Sequence, residues 1–304
     1  MGFDRDQFDA ALRSWWERSP NLAHSTLQPA TLALHLFPTL PSTNQTAWEL
    51  LQQGATSGTV VIALEQQAGR GQWGRQWKSA PGGLYLSIGL APELEATEAA
   101  QLTFATAWGI ASSLRLVGVP VQLKWPNDLV LQARKLGGIL TETRIQQGRI
   151  TQAVVGVGLN WNNPVPKSGI NLQTFWANAS ATPLNSLEEL AALVLYGIVL
   201  GQEFRQSQAI QSLLTAYLEF LVNLGDSVVI EGRSGTITGV SPTGELQVRL
   251  QPDPDHLTSG PDGVASEDVE TKIWLKPGTI SLGYGGPDHP DSSKSRMQGS
   301  PVSD

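Results

Sequence analysis

The chain has 304 residues, 40% of them hydrophobic, and a formal net charge of −7 at pH 7. This length predicts one large domain and a small one, and the acidic balance argues against a general nucleic-acid binder, because nonspecific affinity rests on Lys and Arg. The lack of cysteine excludes disulfides, thiolate nucleophiles and thiolate metal sites. No stretch approaches the roughly 20 apolar residues of a membrane span, so we expect a cytoplasmic protein without a membrane or nucleic-acid partner.

Residues 1–36 are expected to form a helical extension. Phe8, Leu12, Trp15 and Trp16 recur at helical spacing, and a loop is expected to follow up to residue 35. Strands and helices then intermix up to residue 224 without the strict alternation of a doubly wound fold. This pattern predicts an α+β domain at residues 37–224.

Within this domain the pattern predicts short helices, buried strands and one long apolar helix. In chain order they are a helix at 42–53, strands at 59–64 and 84–90, a helix at 97–117, a strand at 121–131 broken by Pro126, a hairpin of 138–145 with 150–161, and helical structure at 186–221. Ser42 and Gln45 form a predicted capping box, and Gly54 ends that helix.

Beyond residue 225 the pattern changes to short β runs. Runs of this kind predict a small barrel that makes residues 225–283 a separate domain. They lie at 227–231, 236–240, 245–250, 272–275 and 279–282, with turns at 232–235 and 241–244. Residues 251–270 are acidic and rich in Pro, Gly and Asp, which predicts a long loop, and residues 284–304 are expected to be a disordered polar tail.

A glycine-rich segment follows the strand predicted at 59–64. From residue 66 to 92 there is no Asp or Glu, whereas Arg70, Arg75 and Lys78 make a positive island. Glycines interleaved with arginines present backbone N–H and guanidinium groups to a phosphate or another small anion. A flexible surface loop is the alternative. The G-x-G-x-x-G pattern would indicate dinucleotide binding only with a helix at its third glycine, and the following Arg-Gln-Trp-Lys-Ser-Ala-Pro disfavours one.

Two neighbouring motifs, Lys-Trp-Pro-Asn-Asp and Arg-Lys-Leu-Gly-Gly-Ile-Leu, carry further candidates. Pro126 ends one strand, so Asn127 and Asp128 lie at a bend where their side chains can reach a ligand or a hydrated cation, although an ordinary turn has the same residues. Lys135 precedes two glycines and an apolar strand, which can hold its ammonium group beside a ligand. A solvent-exposed lysine is the alternative for that position.

Two more motifs offer a polar helix start and an open strand face. Ser42, Thr43 and Asn44 stand where hydroxyls and free N–H groups suit a polar ring such as a ureido group, and a plain N-cap is the alternative. Gly156 and Gly158 clear one face of a predicted strand, so a ligand or a neighbouring backbone can approach it closely.

The chain resembles the biotin–protein ligases in the order and spacing of five motifs: Ser-Thr-Asn, Gln-Gln-Ala-Gly-Arg-Gly, Lys-Trp-Pro-Asn-Asp, Arg-Lys-Leu-Gly-Gly-Ile-Leu and Gly-Val-Gly-Leu-Asn. The resemblance runs from about residue 37 to residue 282. It implies a catalytic domain like those of class II aminoacyl-tRNA synthetases, with a mixed β-sheet, and a small SH3-like C-terminal domain. It also implies a ligase that forms a carbon–nitrogen bond. Biotin and ATP, with Mg²⁺, would give biotinyl-5′-AMP, and biotin would pass to a lysine of the biotin carboxyl carrier protein of acetyl-CoA carboxylase.

The resemblance also assigns roles to individual residues. The catalytic candidates are Lys135 and Arg70. The candidates for contact with biotin are Ser42, Thr43, Asn44, Gln66, Arg70, Gly71, Gln72, Lys135 and Gly138. Those for ATP or the adenylate are Arg70, Trp77, Asn127 and Asn160, and those nearest to Mg²⁺ are Asp128 and Asn160.

Two features depart from the family pattern. Bifunctional members carry an N-terminal DNA-binding domain, for which the residues before Phe37 are too few, so repressor activity is not implied. A common pattern has arginines at the positions of Gln72 and Trp73, which puts retention of the adenylate in doubt.

The sequence does not determine the number of carrier proteins or the oligomeric state, for which a homodimer is one option. The nearest rival is a lipoate–protein ligase, against which Arg70-Gly71 and the Lys-Trp-Pro-Asn-Asp motif favour biotin. A biotin-responsive transcription factor without catalysis is a rival from another class, and the presence of Lys135 argues against it.

Overall fold

The computed structural model describes residues 2–179, 182–252 and 271–284. Its helices are α1 (Arg5–Glu17), α2 (Thr43–Gln52), α3 (Ala100–Leu116), α4 (Leu172–Phe175), α5 (Leu187–Ser207) and α6 (Ile210–Leu218). The strands of a large sheet are β1 (Ala33–Phe37), β2 (Thr59–Ala63), β3 (Leu84–Leu90), β4 (Leu94–Glu95), β5 (Gln122–Lys124), β6 (Asp128–Leu131), β7 (Arg134–Gln146) and β8 (Arg149–Leu159). Those of a small sheet are β9 (Ser227–Ile230), β10 (Arg233–Val240), β11 (Leu246–Leu250) and β12 (Thr271–Leu275).

The large sheet has eight strands in the order β1-β2-β3-β8-β7-β6-β5, and β4 pairs with β8. β1 and β2 are parallel, and the other pairs are antiparallel. The α+β class and the mixed sheet are therefore confirmed. None of the helices in the described part of the chain is long and apolar enough to pass through a membrane.

Alternating residues of β2 show how the sheet separates two apolar layers. Val60 and Ile62 belong to the main core, which includes α1, α3 and α5, whereas Val61 and Ala63 belong to a second cluster with residues of α2. Neighbouring residues of a strand point to opposite faces. Helix α2 therefore lies on the sheet face opposite α3 and α5.

Helices α3 and α5 cross at glycines. A Cβ atom added at Gly109 would lie 2.0 Å from the carbonyl oxygen of Gly197, and one added at Gly201 would lie 1.9 Å from that of Ala105. No larger residue fits such a backbone contact, so the glycines allow the two helices to bury each other on the sheet. This layer gives the opposite face, where the candidate residues lie, a rigid support.

The small sheet has the order β12-β11-β10-β9 and is antiparallel throughout. Its first four predicted strands are confirmed with small changes of boundary. Trp125 Nε1 donates a 3.0 Å hydrogen bond to the carbonyl oxygen of Gly244, in the turn between β10 and β11. The small sheet is therefore fastened directly to the Lys-Trp-Pro-Asn-Asp motif.

Several local predictions are wrong. Residues 33–35 belong to strand β1 rather than to a loop, residues 233–235 belong to β10 rather than to a turn, and residues 279–282 form no strand. The helical structure predicted at 186–221 is confirmed, and it consists of the two helices α5 and α6. β1 is ordered because it pairs with β2, a contact between distant residues that local pattern does not reveal.

The capping box at Ser42 is also wrong. Ser42 is the N-cap residue of α2, but its side chain makes no capping hydrogen bond. The backbone N–H of Thr43 is instead satisfied by the side chain of Gln66, at 2.8 Å. A tertiary contact thus replaces the local cap.

Two predicted segments fall largely on residues that the structure does not describe. Of the loop expected at 251–270, residues 253–270 lie outside the described residues, and so do residues 285–304 of the predicted tail. For Tyr284, the first residue of the predicted tail, the prediction is wrong, because Tyr284 packs against the candidate site and has defined contacts there.

Candidate active site

The start of helix α2 forms the first wall of the site. Ser87 Oγ lies 2.7 Å from both Thr43 Oγ1 and Asn44 Oδ1, so its single proton can serve one of them at a time. Gln66 Oε1 accepts from the backbone N–H of Thr43 at 2.8 Å, and its Nε2 donates to Ser79 Oγ at 2.7 Å. The hydroxyl and amide groups of this wall are thereby oriented before any ligand arrives.

Asn44 is held by a carboxylate that the sequence analysis did not single out. Its Nδ2 donates to Glu142 Oε2 at 2.8 Å and to the carbonyl oxygen of Leu140 at 3.2 Å. The same Glu142 oxygen lies 3.0 Å from a guanidinium nitrogen of Arg70. Glu142 therefore connects the helix start to the glycine-rich loop.

The two glycines of β8 make room for these side chains. A Cβ atom added at Gly156 would lie 2.0 Å from Asn44 Oδ1, and one added at Gly158 would lie 2.5 Å from Trp77 Nε1. The open strand face that the sequence indicated is thus filled by Asn44 and Trp77. Both side chains line the cavity described below.

The glycine-rich loop is a tight turn without an α-helix. The backbone N–H of Gly71 donates to the carbonyl oxygen of Arg75 at 2.7 Å, and that of Trp77 donates to Gly69 at 2.9 Å. Only a short 3₁₀ turn, Gln72–Gly74, lies between, with φ of 60° at Trp73. No α-helix follows the third glycine, and the geometry of dinucleotide-binding folds is therefore excluded here.

Lys135 is paired rather than free. Its Nζ lies 2.6 Å from Asp128 Oδ1, and 5.3 Å from the centroid of a Trp77 ring. The Lys135 side chain is 29% exposed and that of Asp128 12% exposed. A lysine held this way presents its charge in a fixed direction. The alternative, a freely moving surface lysine, is therefore excluded.

A second cation, Lys124, stands beside this pair. The pKa of Lys124 is lowered to about 8, mainly by burial; Asp128 opposes the shift, and nearby Lys135 and Arg75 add to it. Its ammonium group lies 3.7 Å from the centroid of the Tyr284 ring. The site therefore combines several cationic groups with one carboxylate, an arrangement that suits a polyanion.

The candidates surround one cavity of about 190 Å³. All of the predicted site residues line it except Asn160, whose buried side chain donates to the carbonyl oxygen of Ile170 at 3.2 Å and accepts from Asn163 at 2.9 Å. Asn160 therefore fixes the loop that follows β8 and does not face the cavity. Asn127 does line it, and its Nδ2 donates to the carbonyl oxygen of Ile139 at 2.7 Å.

A resident magnesium site does not fit the side chains at Asp128. Both of its oxygens are engaged, one by Lys135 and the other by the Tyr284 hydroxyl at 3.0 Å. Among the described residues no group of three or more His, Asp or Glu side chains could hold a metal ion. Asn160, the other predicted ligand, points away from the cavity, so the two predicted Mg²⁺ ligands do not meet at one point.

Part of the chain that contains the site is similar to known proteins. Residues 36–160 match the Biotin/lipoate A/B protein ligase family. The bifunctional ligase/repressor BirA of Bacillus subtilis is 35% identical over 140 residues, which cover 45% of this chain and 43% of that protein. The biotin–[acetyl-CoA-carboxylase] ligase of Paracoccus denitrificans is 37% identical over 122 residues, 39% of this chain and 50% of that protein. The matched segment thus spans about half the length of these relatives.

Residues 36–160 are therefore similar in sequence to the Biotin/lipoate A/B protein ligase family. The resemblance to biotin–protein ligases is thereby confirmed. The fold agrees over a longer stretch: a biotin protein ligase from Aquifex aeolicus, solved in complex with biotin and ATP, superposes with a TM-score of 0.58 at 23% identity, covering 80% of this chain and 99% of that one.

Several residues of this site were missed by sequence reasoning. Glu142 could have been found, because it follows Gly138 and Leu140 at alternate positions of one strand and so shares their face. The lining residues beyond the small sheet carried no motif, and only the fold brings them to the cavity. They are Gly278, Ile280, Ser281 and Leu282.

Proposed function

We propose that this protein is an ATP-dependent biotin–protein ligase. It forms biotinyl-5′-AMP from biotin and MgATP and transfers biotin to a lysine of a biotin carboxyl carrier protein of acetyl-CoA carboxylase. The observation that carries the proposal is the convergence on one cavity of the Ser-Thr-Asn helix start, the glycine-rich loop and the Lys135–Asp128 pair. The family match of residues 36–160 and the similarity to the biotin–[acetyl-CoA-carboxylase] ligase of Paracoccus denitrificans support it.

The helix start is the proposed biotin end of the cavity. Ser42, Thr43 and Asn44, with Gln66 beside them, present hydroxyl, amide and backbone groups that complement the ureido ring. Each of these side chains is buried or half-buried, so a ligand meets groups whose orientation is already set. Gly71, Gln72 and Gly138 would lie along the rest of biotin.

The Lys135 end is the proposed site of the first reaction. A carboxylate oxygen of biotin attacks the α-phosphorus of ATP, the bond to the β-phosphate bridging oxygen breaks, and pyrophosphate leaves. Negative charge grows on the phosphoryl oxygens during this displacement, and a fixed ammonium group stabilises it. Lys135 supplies that charge, Arg70 joins it from the loop, and Trp77 and Asn127 line the ATP side.

The second reaction needs no covalent intermediate on the enzyme. The amine of the carrier lysine attacks the carbonyl carbon of the mixed anhydride, AMP leaves with the bonding electrons, and the amine loses a proton. The described surface of the cavity contains no cysteine, and the sequence has none. Positioning of the anhydride is therefore the main contribution of the protein to this step.

The domain assignment is part of the proposal. We assign residues 37–224 to a catalytic domain like those of class II aminoacyl-tRNA synthetases, and residues 225–283 to an SH3-like domain. The mixed sheet and the four-stranded antiparallel sheet are compatible with this division. The cytoplasm, where carriers of this kind are modified, is the proposed location, and the oligomeric state stays open.

The experiment that tests the function is a direct assay of both half-reactions. The protein is incubated with MgATP and either biotin or lipoate, with and without a carrier domain, and the products are read by pyrophosphate release and mass spectrometry. We expect biotin-dependent pyrophosphate release and a biotin-sized mass increase on one carrier lysine. Release that depends on lipoate alone would replace the proposal with the lipoate ligase alternative.

Replacing Lys135 by alanine should abolish adenylate formation and leave the fold intact. Loss of a charge placed on the reacting phosphate costs the rate at least about 100-fold, whereas loss of a partly buried ion pair costs roughly 1–2 kcal/mol of stability. Pyrophosphate release and thermal unfolding measure the two effects. Arg134→Ala, which removes a half-buried cation one position earlier that does not line the cavity, is the control, and near-normal release by Lys135→Ala would overturn the role of Lys135.

A further inference from the structure

The segment after the small sheet closes one side of the cavity. Gly278, Ile280, Ser281 and Leu282 line the cavity, and Tyr284 follows them directly. An added Cβ atom at Gly278 would lie 3.2 Å from the Trp73 ring, so the loop tip rests on this segment as well. The segment therefore contacts both the glycine-rich loop and the cavity.

Tyr284 reaches the catalytic ion pair through its hydroxyl. The hydroxyl donates to Asp128 Oδ2 at 3.0 Å, while Lys135 Nζ lies 2.6 Å from the other oxygen of the same carboxylate. Each oxygen of the Asp128 carboxylate thus has a partner, and the orientation of the carboxylate determines where the Lys135 ammonium group points. Burial and the charge of Asp128 raise the pKa of the Tyr284 hydroxyl, which keeps it protonated and able to donate.

The ring of the same residue orders a second cation. Lys124 Nζ lies 3.7 Å from the ring centroid, within the range of a cation–π contact. Lys124 lines the cavity and is itself close to Asp128, Lys135 and Arg75. The ring therefore holds one more cationic group at the phosphate end of the cavity and covers it from water.

We infer that Tyr284 is a positioning residue of the active site, which aims Lys135 through Asp128 and holds Lys124 beneath its ring. The inference rests on the proposed function, and it adds a residue from outside the family-matched segment 36–160. Tyr284 touches no reacting atom in this role. It makes the C-terminal segment a working part of the adenylation site.

Two variants separate the hydroxyl from the ring. Tyr284→Phe removes the hydrogen bond to Asp128 and keeps the ring, and Tyr284→Leu removes both. Hydrogen bonds to charged groups correspond to about ten- to hundredfold in rate, so kcat for pyrophosphate release should fall by about tenfold in Tyr284→Phe, with KM for biotin unchanged. In Tyr284→Leu, KM for ATP should also rise, because Lys124 loses its support.

The matched control is Tyr196→Phe. This variant also loses one phenol hydroxyl. In the parent that hydroxyl is hydrogen-bonded at 2.7 Å to Ser19 Oγ, in the main core far from the cavity. A merely structural loss of a hydroxyl should lower the melting temperature of either variant without a split between kcat and KM. Thermal unfolding of all variants shows whether each is folded, and Tyr196→Phe should keep parental kinetics.

A readout independent of activity is the reactivity of individual lysines toward trace acetic anhydride, followed by mass spectrometry. Lys124 should be modified about threefold or more faster in Tyr284→Leu, since its ring cover is gone, and at the parental rate in Tyr284→Phe. Exposed Lys167 is the internal reference. If the parent protein shows no biotin-dependent pyrophosphate release, the proposed function is wrong. The labelling rates would still show whether the Tyr284 ring shields Lys124. Parental kcat in Tyr284→Phe, or parental labelling of Lys124 in Tyr284→Leu, would overturn the inference.

Discussion

Glu142 serves two functional side chains with one oxygen. Asn44 of the helix start and Arg70 of the loop both donate to Oε2, so this carboxylate fixes the biotin end and one catalytic candidate together. The pair with Arg70 is partly exposed, with side chains 45% and 28% exposed, so its direct contribution to stability is small. The main contribution of Glu142 is to orient Asn44 and Arg70.

Glu142→Gln should therefore raise KM for biotin and change KM for ATP little. A neutral amide keeps the shape but weakens two charge-assisted hydrogen bonds, each worth roughly 1.5–3 kcal/mol when fully made, so about a tenfold rise is expected. Isothermal titration with biotin measures the loss of biotin affinity that underlies this rise in KM. Glu49→Gln, in an exposed hydrogen bond to Gln45 on α2, is the control. Unchanged biotin affinity in Glu142→Gln would show that Asn44 keeps its orientation without the carboxylate.

Gln72 is where this chain departs from the arginine common in the family pattern. Its side chain lines the cavity, and it offers a neutral amide where an arginine would add a charge near the adenylate phosphate. We expect Gln72→Arg to slow the release of biotinyl-adenylate, by roughly tenfold for one charge-assisted contact. Stopped-flow dissociation and labelling of bystander proteins measure the change.

Trp73 gives a structural reason to test the neighbouring position as well. Its ring is 63% exposed yet packs against the backbone of Gly278, so it ties the loop to the C-terminal segment without a charge. Faster release from Trp73→Ala than from the parent would show that this contact retains the adenylate. Equal or faster release from Gln72→Arg would contradict the charge argument at position 72.

Helix α2 shows that an N-cap residue need not stabilise its helix. Ser42 makes no capping hydrogen bond with its side chain, whereas Ser186, at the start of α5, accepts from the backbone N–H of Glu189. Loss of a working cap costs about 1 kcal/mol. Ser186→Ala should therefore destabilise the protein by about that amount, and Ser42→Ala by clearly less.

Urea unfolding of both serine variants measures the difference. Ser42→Ala should instead weaken biotin binding, because Ser42 lines the cavity and its side chain makes no capping hydrogen bond in the helix. An equal loss of stability in the two variants would mean that Ser42 caps α2 in solution.

The same elements show how far sequence alone could reach. Motif residues lie at strand ends and at a helix start, so the sequence pattern predicted most of the elements. The resemblance to biotin–protein ligases supplied part of the cavity lining. The strand pattern could have placed Glu142 on the face of Gly138 and Leu140, but not its contact with Asn44, which lies 98 positions away. Tyr284 could not be placed at all, because its contact with Asp128 joins residues 156 positions apart. Only the pairing of β7 with β8 and the seating of the small sheet bring them together.

The whole molecule builds one site from two sheets. Trp125 bonds to Gly244 in the small sheet, and the segment 278–284 returns to cover the cavity. Residues that are distant in the chain therefore share one chemical environment. The small sheet acts as a support for that segment, whatever further contact it makes with a carrier.

Three truncated chains separate these contributions. A chain ending at residue 284 lacks only the polar terminal residues and should keep both half-reactions. A chain ending at residue 277 keeps all strands of the small sheet but loses the cavity wall and Tyr284, so pyrophosphate release should fall by at least about tenfold. A chain ending at residue 224 should lose transfer to the carrier too, even where it stays in solution.

Stability must be measured in parallel, because Ile280 and Leu282 are buried and their removal exposes apolar surface worth roughly 1.5–3 kcal/mol for each side chain. Assays well below the lowest melting temperature keep every chain folded, so a difference in rate then reports on the site. The decisive comparison is residue 277 against residue 284, since both chains retain the small sheet and differ by seven residues. If the two release pyrophosphate at the same rate, the segment is a cover without a part in the reaction, and the adenylation site is complete within the large sheet.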